Sequence, residues 1–249
     1  MRCARMLWFG GLLVLVVAPL LWSAGMVHGG AIRHWSQARW DSAGLAPDPA
    51  ITPEAVVQVY AARAWGWKGV LAVHSWIILK RAGAAAFERY EVVGWGVRRG
   101  APAIRKDMRA VDGYWAGNRP QVVAERRGPG VEQLIDRIEA AIESYPYPDQ
   151  YRTWPGPNSN TFIAHIGREV PELALNMPPT AVGKDYLSAG GLLARTPSGS
   201  GFQLSVLGVL GLSLGRAEGL ELNLLGLVIG VDPLGLALKL PGIGRIGLS

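Results

Sequence analysis

Between Met6 and Ile32 the chain carries no Asp, Glu, Lys or Arg. The stretch LWFGGLLVLVVAPLLWSAGMV supplies about the 20 apolar residues that a helix needs to cross a bilayer. Arg2 and Arg5 precede it, Trp8 and Trp22 fall near where the two interfaces would lie, and Pro19 is tolerated inside a membrane helix. The run is longer than the core of a usual cleaved leader, and Ser23-Ala24-Gly25 is a mediocre cut site. The expectation is therefore an uncleaved anchor over residues 1–32. Arg33 and Arg39 match Arg2 and Arg5 in number, so charge alone does not orient the span. The short tail and signal-like layout place the tail inside. That predicts a single-pass membrane protein with its main domain outside, which in a bacterium means the inner membrane and the periplasm.

The remaining length is enough for one medium domain with an appendage, since the whole chain has 249 residues. Its 33 glycines and 17 prolines are spread along it, which favours turns and short strands and hence a mixed α+β protein. Cys3 is the only cysteine, so disulfides and thiol chemistry are excluded downstream of it. Four histidines without close Cys, His, Asp or Glu spacing give no metal site, and no cofactor is expected. The net charge of +6 comes without a nucleic-acid module, so no nucleic-acid partner is expected. An anionic membrane surface suits that charge equally well.

Residues 33–55 read as a linker, and the turn-rich GLAPDPAITP closes it. VVQVYAARAW and GVLAVHSWIILK read as strands, and ERYEVVGWGV as the return strand of a hairpin. His74 stands near the start of its strand with Trp76, Ile78 and Lys80 on its face. Val131, Leu134, Ile135, Ile138 and Ile142 have helical spacing, with Glu132, Asp136, Glu139 and Glu143 on a solvated side. Prolines then exclude regular structure up to Pro157. In GPNSNTF, Asn158 or Ser159 is a good N-cap for a helix that buries Phe162, Ile163 and Ile166. Capping alone accounts for Asn158-Ser159-Asn160. The same place, a helix start with free N–H groups, also suits a nucleophile.

A histidine that opens a hairpin, an amphipathic helix, and then Asn158, Ser159 and Phe162 at a helix start resemble the permuted papain-like arrangement. That arrangement is found in the NlpC/P60-like and lecithin retinol acyltransferase-like families, where cysteine stands at the serine position. The resemblance implies a papain-like domain over residues 56–180. In it Ser159 would be the nucleophile, His74 the base and Glu91 the third member, with Asn158 and Asn160 as amide donors. VHSWI, YPYPDQYRTWPGPNSNTF and PPTAVGKDYL further resemble an uncharacterised bacterial domain-of-unknown-function family, number three-seven-five-zero, from about Val56 onward. Trp65, Trp67, Trp95, Trp115 and Trp154 are candidates to line a sugar or lipid groove, and Trp76 is a further binding candidate.

After a linker at 181–201, residues 202–249 alternate leucine with polar or small residues. FQLSVLGVLGLSLG, LELNLLGLVIGV and LGLALKL predict a three-stranded antiparallel meander whose leucine face packs on the central domain, with lipid contact or assembly with another copy as the alternatives. GIGRIG matches a dinucleotide fingerprint only by chance, because no helix follows it. The functional expectation is a membrane-anchored envelope protein in a binding or structural role, with peptidoglycan or lipid as partner classes. The alternative is a serine-dependent amide or ester hydrolase or acyltransferase. Replacement of cysteine by serine weighs toward the first, because a hydroxyl needs an aligned base where a thiolate does not.

Overall fold

The computed structural model describes residues 14–26, 35–187 and 190–248. It is a mixed α+β protein with two antiparallel sheets. Five strands, β1 (Val56–Arg63), β2 (Val73–Lys80), β3 (Glu88–Val92), β4 (Ile104–Lys106) and β5 (Gln121–Arg127), form one sheet in the order β4-β3-β2-β1-β5. Helices α3 (Val131–Glu143) and α4 (Ser159–Glu169) cover one face of it, as the helical spacing predicts. Val57, Val59, Ile77 and Leu79 of the sheet meet Leu134, Ile135, Ile138, Phe162, Ile163 and Ile166 there. Each such buried aliphatic contributes about 1.5–3 kcal/mol.

The opposite face holds Tyr60, Trp76, Ile78 and Trp115, with Trp40, Leu45 and Ala46 packed over them. The expected linker at 33–55 is thus, through Trp40, Leu45 and Ala46, the cover of this face. Its few apolar side chains are what close it, a pattern too sparse to read from sequence. Trp76, expected to bind ligand, is fully buried, stacks on Tyr60 at 5.4 Å and donates Nε1–H to Val111 O. It is a core residue because β2 lies in the middle of the sheet, where both faces are covered.

The second sheet has seven strands in simple sequence order: β6 (Leu193–Arg195), β7 (Gly201–Val206), β8 (Leu210–Gly215), β9 (Gly219–Leu224), β10 (Leu227–Asp232), β11 (Ala237–Leu240) and β12 (Gly244–Gly247). The first two expected strands are therefore hairpins, β7-β8 and β9-β10, while the third run supplies the single strand β11. The cause is local: Leu207-Gly208 and Leu225-Gly226 turn the chain inside those two runs, as Gly235-Leu236 does between β10 and β11, and Leu207, Leu225 and Leu236 take positive φ of 52°, 56° and 42°. A β-branched or leucine-type residue rarely does this, so the turns were masked by their own hydrophobicity. The segment 181–201, expected as a linker, contributes β6 and the buried Lys184 and Asp185.

The faces of this sheet are also reversed from expectation. Gln203, Ser205, Ser213, Glu221, Asn223 and Lys239 are buried against the rest of the chain, while Phe202, Leu204, Leu212, Leu214, Leu220, Leu222 and Leu238 are exposed. Arg168 of α4 reaches across to Gln203 Oε1 at 2.7 Å, and Asp185 accepts from Asn223 Nδ2 at 2.7 Å. Polar partners, not leucines, join the sheet to the domain.

Of the expected anchor, only residues 14–26 are described; they form a helix, α1, and the rest lies outside the described residues. Among the described residues no helix is long and apolar enough to cross a membrane. Ser23 of α1 donates its hydroxyl to Val70 O of α2 (Lys68–Leu71) at 2.7 Å.

Candidate functional site

His74 is the second residue of β2, and Glu91 lies on the adjacent strand opposite Trp76, which makes the two diagonal neighbours on one face. His74 Nε2 and Glu91 Oε2 are 2.8 Å apart, and both side chains are buried. Alternation puts Arg89 on the same face as Glu91. Its Nη2 donates to Glu91 Oε2 at 3.1 Å and its Nη1 to Ala110 O at 2.6 Å. Arg89 Nε lies 3.0 Å from Glu91 Oε1 as an ion-pair contact without hydrogen-bond alignment. The Trp115 ring lies flat on the imidazole at 3.4 Å between centroids, and Trp95 stacks behind it at 5.5 Å. The ring therefore has one orientation.

Burial pushes the His74 pKa below its ordinary value; the Glu91 carboxylate opposes this, and Arg89 and Arg109 add to it. Burial works to raise Glu91, but His74 and Arg89 outweigh it and leave the carboxyl below its usual range. The arrangement is a neutral imidazole held by an ionised carboxylate, whose charge Arg89 balances. With Nε2–H given to Glu91, Nδ1 is the nitrogen with a lone pair to accept a proton.

Ser159 is the first residue of α4. Asn158 is its N-cap: Oδ1 accepts from Asn160 N at 2.9 Å and Thr161 N at 3.1 Å, and Asn158 N donates to Thr161 Oγ1, closing a capping box. Both amide protons of Asn158 go to carbonyls, Thr153 O and Val182 O. Asn160 gives both of its own to Val73 O and Val182 O and accepts from Ser75 Oγ at 2.8 Å. The two asparagines expected to donate to a ligand are thus committed to tying α4 to β2 and to the 182–183 turn. Gly183 sits at φ +99° and 2.3 Å is all that would separate a Cβ there from Asn158 Nδ2. Asn158→Ala is expected to lower stability by about 2 kcal/mol, the upper end for a lost cap, because two carbonyls lose donors as well. Urea unfolding measures this; a change within error would show that the cap is redundant.

Neither the Ser159 hydroxyl nor its backbone N–H has a protein partner among the described residues. No hydrogen bond joins Ser159 to His74. Both instead line one cavity of about 700 Å³. Trp65, Trp67, Trp95, Trp115 and Trp154 all line it too, together with Tyr151 and, from the second sheet, Leu225 and Leu227. Trp154 Nε1 donates to Leu225 O at 2.9 Å, so the second sheet supplies part of the wall. His165 lies apart, its Nε2 3.0 Å from Ala141 O between α3 and α4. No group of three or more His, Cys, Asp or Glu gathers as for a metal among the described residues.

Arg89, Arg109, Ser75, Leu225 and Leu227 were not singled out from sequence. Arg89 alone had a signal, the Arg-x-Glu spacing that puts it beside Glu91 on one strand face. The others reach the site through pairing register and through a sheet far along the chain.

Residues 54–186, more than half of the chain, match the model of a family described as protein of unknown function (DUF3750). The chain belongs to the DUF3750 family. The match holds His74, Glu91, Asn158 and Ser159, while α1 and strands β6–β12 lie outside it. No curated protein and no solved structure matches the chain significantly.

Proposed function

We propose that this DUF3750 protein is a serine-dependent hydrolase or acyltransferase acting on an amide or ester at the bacterial inner membrane, with its domain in the periplasm. Ser159 is the nucleophile, His74 the base and Glu91 the group that orients it. The observation that carries this is the buried imidazole–carboxylate pair at 2.8 Å, on the same cavity as an unpaired serine at a helix start. A thiolate can form beside histidine alone, but a serine hydroxyl needs a neutral, oriented base, and a buried carboxylate provides the orientation. The order of strand histidine, strand carboxylate and helix-start nucleophile supports a permuted papain-like fold. The apolar run at 6–32 supports an anchor.

In the reaction, Ser159 Oγ attacks the acyl carbonyl while His74 Nδ1 takes the hydroxyl proton. The oxyanion forms beside Ser159 N–H and the positive end of α4. The imidazolium passes its proton to the leaving amine or alcohol, and water or an acceptor alcohol resolves the acyl-enzyme by the reverse steps. Free-state catalytic contacts are commonly looser than those with substrate bound.

A fluorophosphonate is expected to label the full chain at Ser159 and not Ser159→Ala. Because the His74 pKa lies below its ordinary value, the labelling rate should be flat at neutral pH and fall only on acidification below the usual histidine range. A rate that keeps rising well above neutrality would assign the base elsewhere. The missing Ser159–His74 hydrogen bond favours a second reading, a cavity that binds without reacting. Folded protein that takes no label supports that reading.

A further inference from the structure

The seven-stranded sheet turns its apolar side to solvent and its charges inward. Cross-strand register aligns the outward residues into continuous rows: Leu193, Leu204, Leu212, Leu222 and Ile229 form one, and Phe202, Leu214, Leu220, Val231, Leu238 and Ile246 another. Phe202, Leu214 and Leu193 are 63 %, 65 % and 66 % exposed. At the strand ends Leu207, Leu225, Leu234 and Leu236 project from the turns, also exposed. Contiguous apolar surface on this scale marks an interaction site.

We propose that this leucine face lies against the hydrocarbon boundary of an anionic bilayer. Three observations select lipid over a protein. First, all three acids of residues 190–248, Glu218, Glu221 and Asp232, are buried, whereas Arg195 and Arg216 are exposed and Arg245 pairs with Asp232 at 3.2 Å on the inward side, so the unpaired charge on the described surface of this segment is positive. Arginines around an apolar face fit anionic headgroups. Second, the charge-free N-terminal run meets the sheet at its β11–β12 turn. A Cβ on Gly242, in the β11–β12 turn, would lie 3.0 Å from Leu20 Cδ2 and 3.1 Å from Ser23 Cβ of α1, whose Leu15, Leu21 and Trp22 are exposed. Third, the turn leucines stand at both ends of the strands. A second copy packed sheet to sheet covers a flat face and leaves such tips in water, while a fluid lipid phase surrounds them.

The same edge reaches the cavity, since Leu225 belongs both to the exposed turn and to the cavity wall. Docking therefore sets the cavity beside the membrane surface.

The test uses the full chain with Cys3→Ser, reconstituted in vesicles of phosphatidylcholine and phosphatidylglycerol. A fluorophore sits on a cysteine at Leu212→Cys, with Leu222→Cys as a second reporter and Ile51→Cys, on an 80 % exposed side chain remote in sequence from the sheet, as reference. Spin-labelled acyl chains are expected to quench the 212 and 222 reporters and not the 51 reporter, and iodide quenching at 212 should fall roughly threefold against the reference. Two results overturn the proposal. One is full iodide access at 212 and 222 with the chain membrane-bound. The other is protection from iodide without quenching by lipid, together with 212–212 disulfide dimers of the unlabelled Leu212→Cys variant, which assigns the face to a second copy.

Discussion

Glu221→Gln is expected to be the most damaging single substitution on the inner side of the second sheet, costing about 3–5 kcal/mol. Lys184 Nζ lies 2.6 Å from Glu221 Oε2, and Lys239 Nζ 2.5 Å from Glu221 Oε1, with all three side chains at most 3 % exposed. The isosteric amide removes the charge without making a cavity. Lys184 keeps Asp185 at 3.1 Å, but Lys239 is left buried and charged with no carboxylate in ion-pair contact. The cost comes from that uncompensated charge rather than from a lost contact. Glu221→Leu with Lys239→Leu removes both members of one pair, and should therefore recover more than half of the loss. Urea unfolding of the three proteins decides it; a double variant as weak as the single one would show that packing, not charge, holds this interface.

The pH dependence follows from the same residues. Burial works to raise Glu221, but Lys184 and Lys239 outweigh it, so the folded carboxyl titrates below its ordinary value. Its contribution to stability is present above the ordinary carboxylate range and is lost as pH falls through the depressed folded value. His74 and His165, both lowered chiefly by burial, act in the same direction at higher pH. Their share is complete above the ordinary histidine value and declines below it. Acid unfolding should thus begin with the histidines and finish with the carboxylates.

Glu91→Gln is expected to have the largest effect on reactivity, slowing fluorophosphonate labelling by roughly 10³ to 10⁴, the scale seen when the acid of a triad becomes an amide. The amide can donate to Nε2, which would move the imidazole proton to Nδ1 and remove the lone pair that the hydroxyl needs. It also leaves Arg89, 1 % exposed, without its counter-charge, so stability should fall by about 3 kcal/mol. The two effects separate at low temperature: the folded variant, checked by near-ultraviolet circular dichroism, remains slow. Folded Glu91→Gln that labels at the parental rate would remove Glu91 from the reaction and leave it a role in balancing Arg89 alone.

Much of the site was legible because local pattern places it. Alternation put His74 and Glu91 on strands, proline exclusion ended the loop at Pro157, and the preference for Asn at an N-cap put Ser159 at a helix start. The five cavity-lining tryptophans could be named because large aromatics flanked strand ends. The roles of Asn158 and Asn160 were not legible, because Val73 O and Val182 O come from distant segments and only folding reveals that the amides are already used.

Periodicity in the sequence by itself determined that residues beyond 200 form sheet, and which side chains share a face. A period of two is a property of the strand backbone and needs no neighbour. It could not determine which face turns inward, since that depends on what lies opposite. Only the tertiary structure decided it: Arg168, Lys184 and Asp185 present charge and hydrogen bonds to the second sheet, and the free energy of leaving those groups unpaired exceeds that of exposing leucine. The polar side is therefore held against the domain, and the leucines are left facing outward.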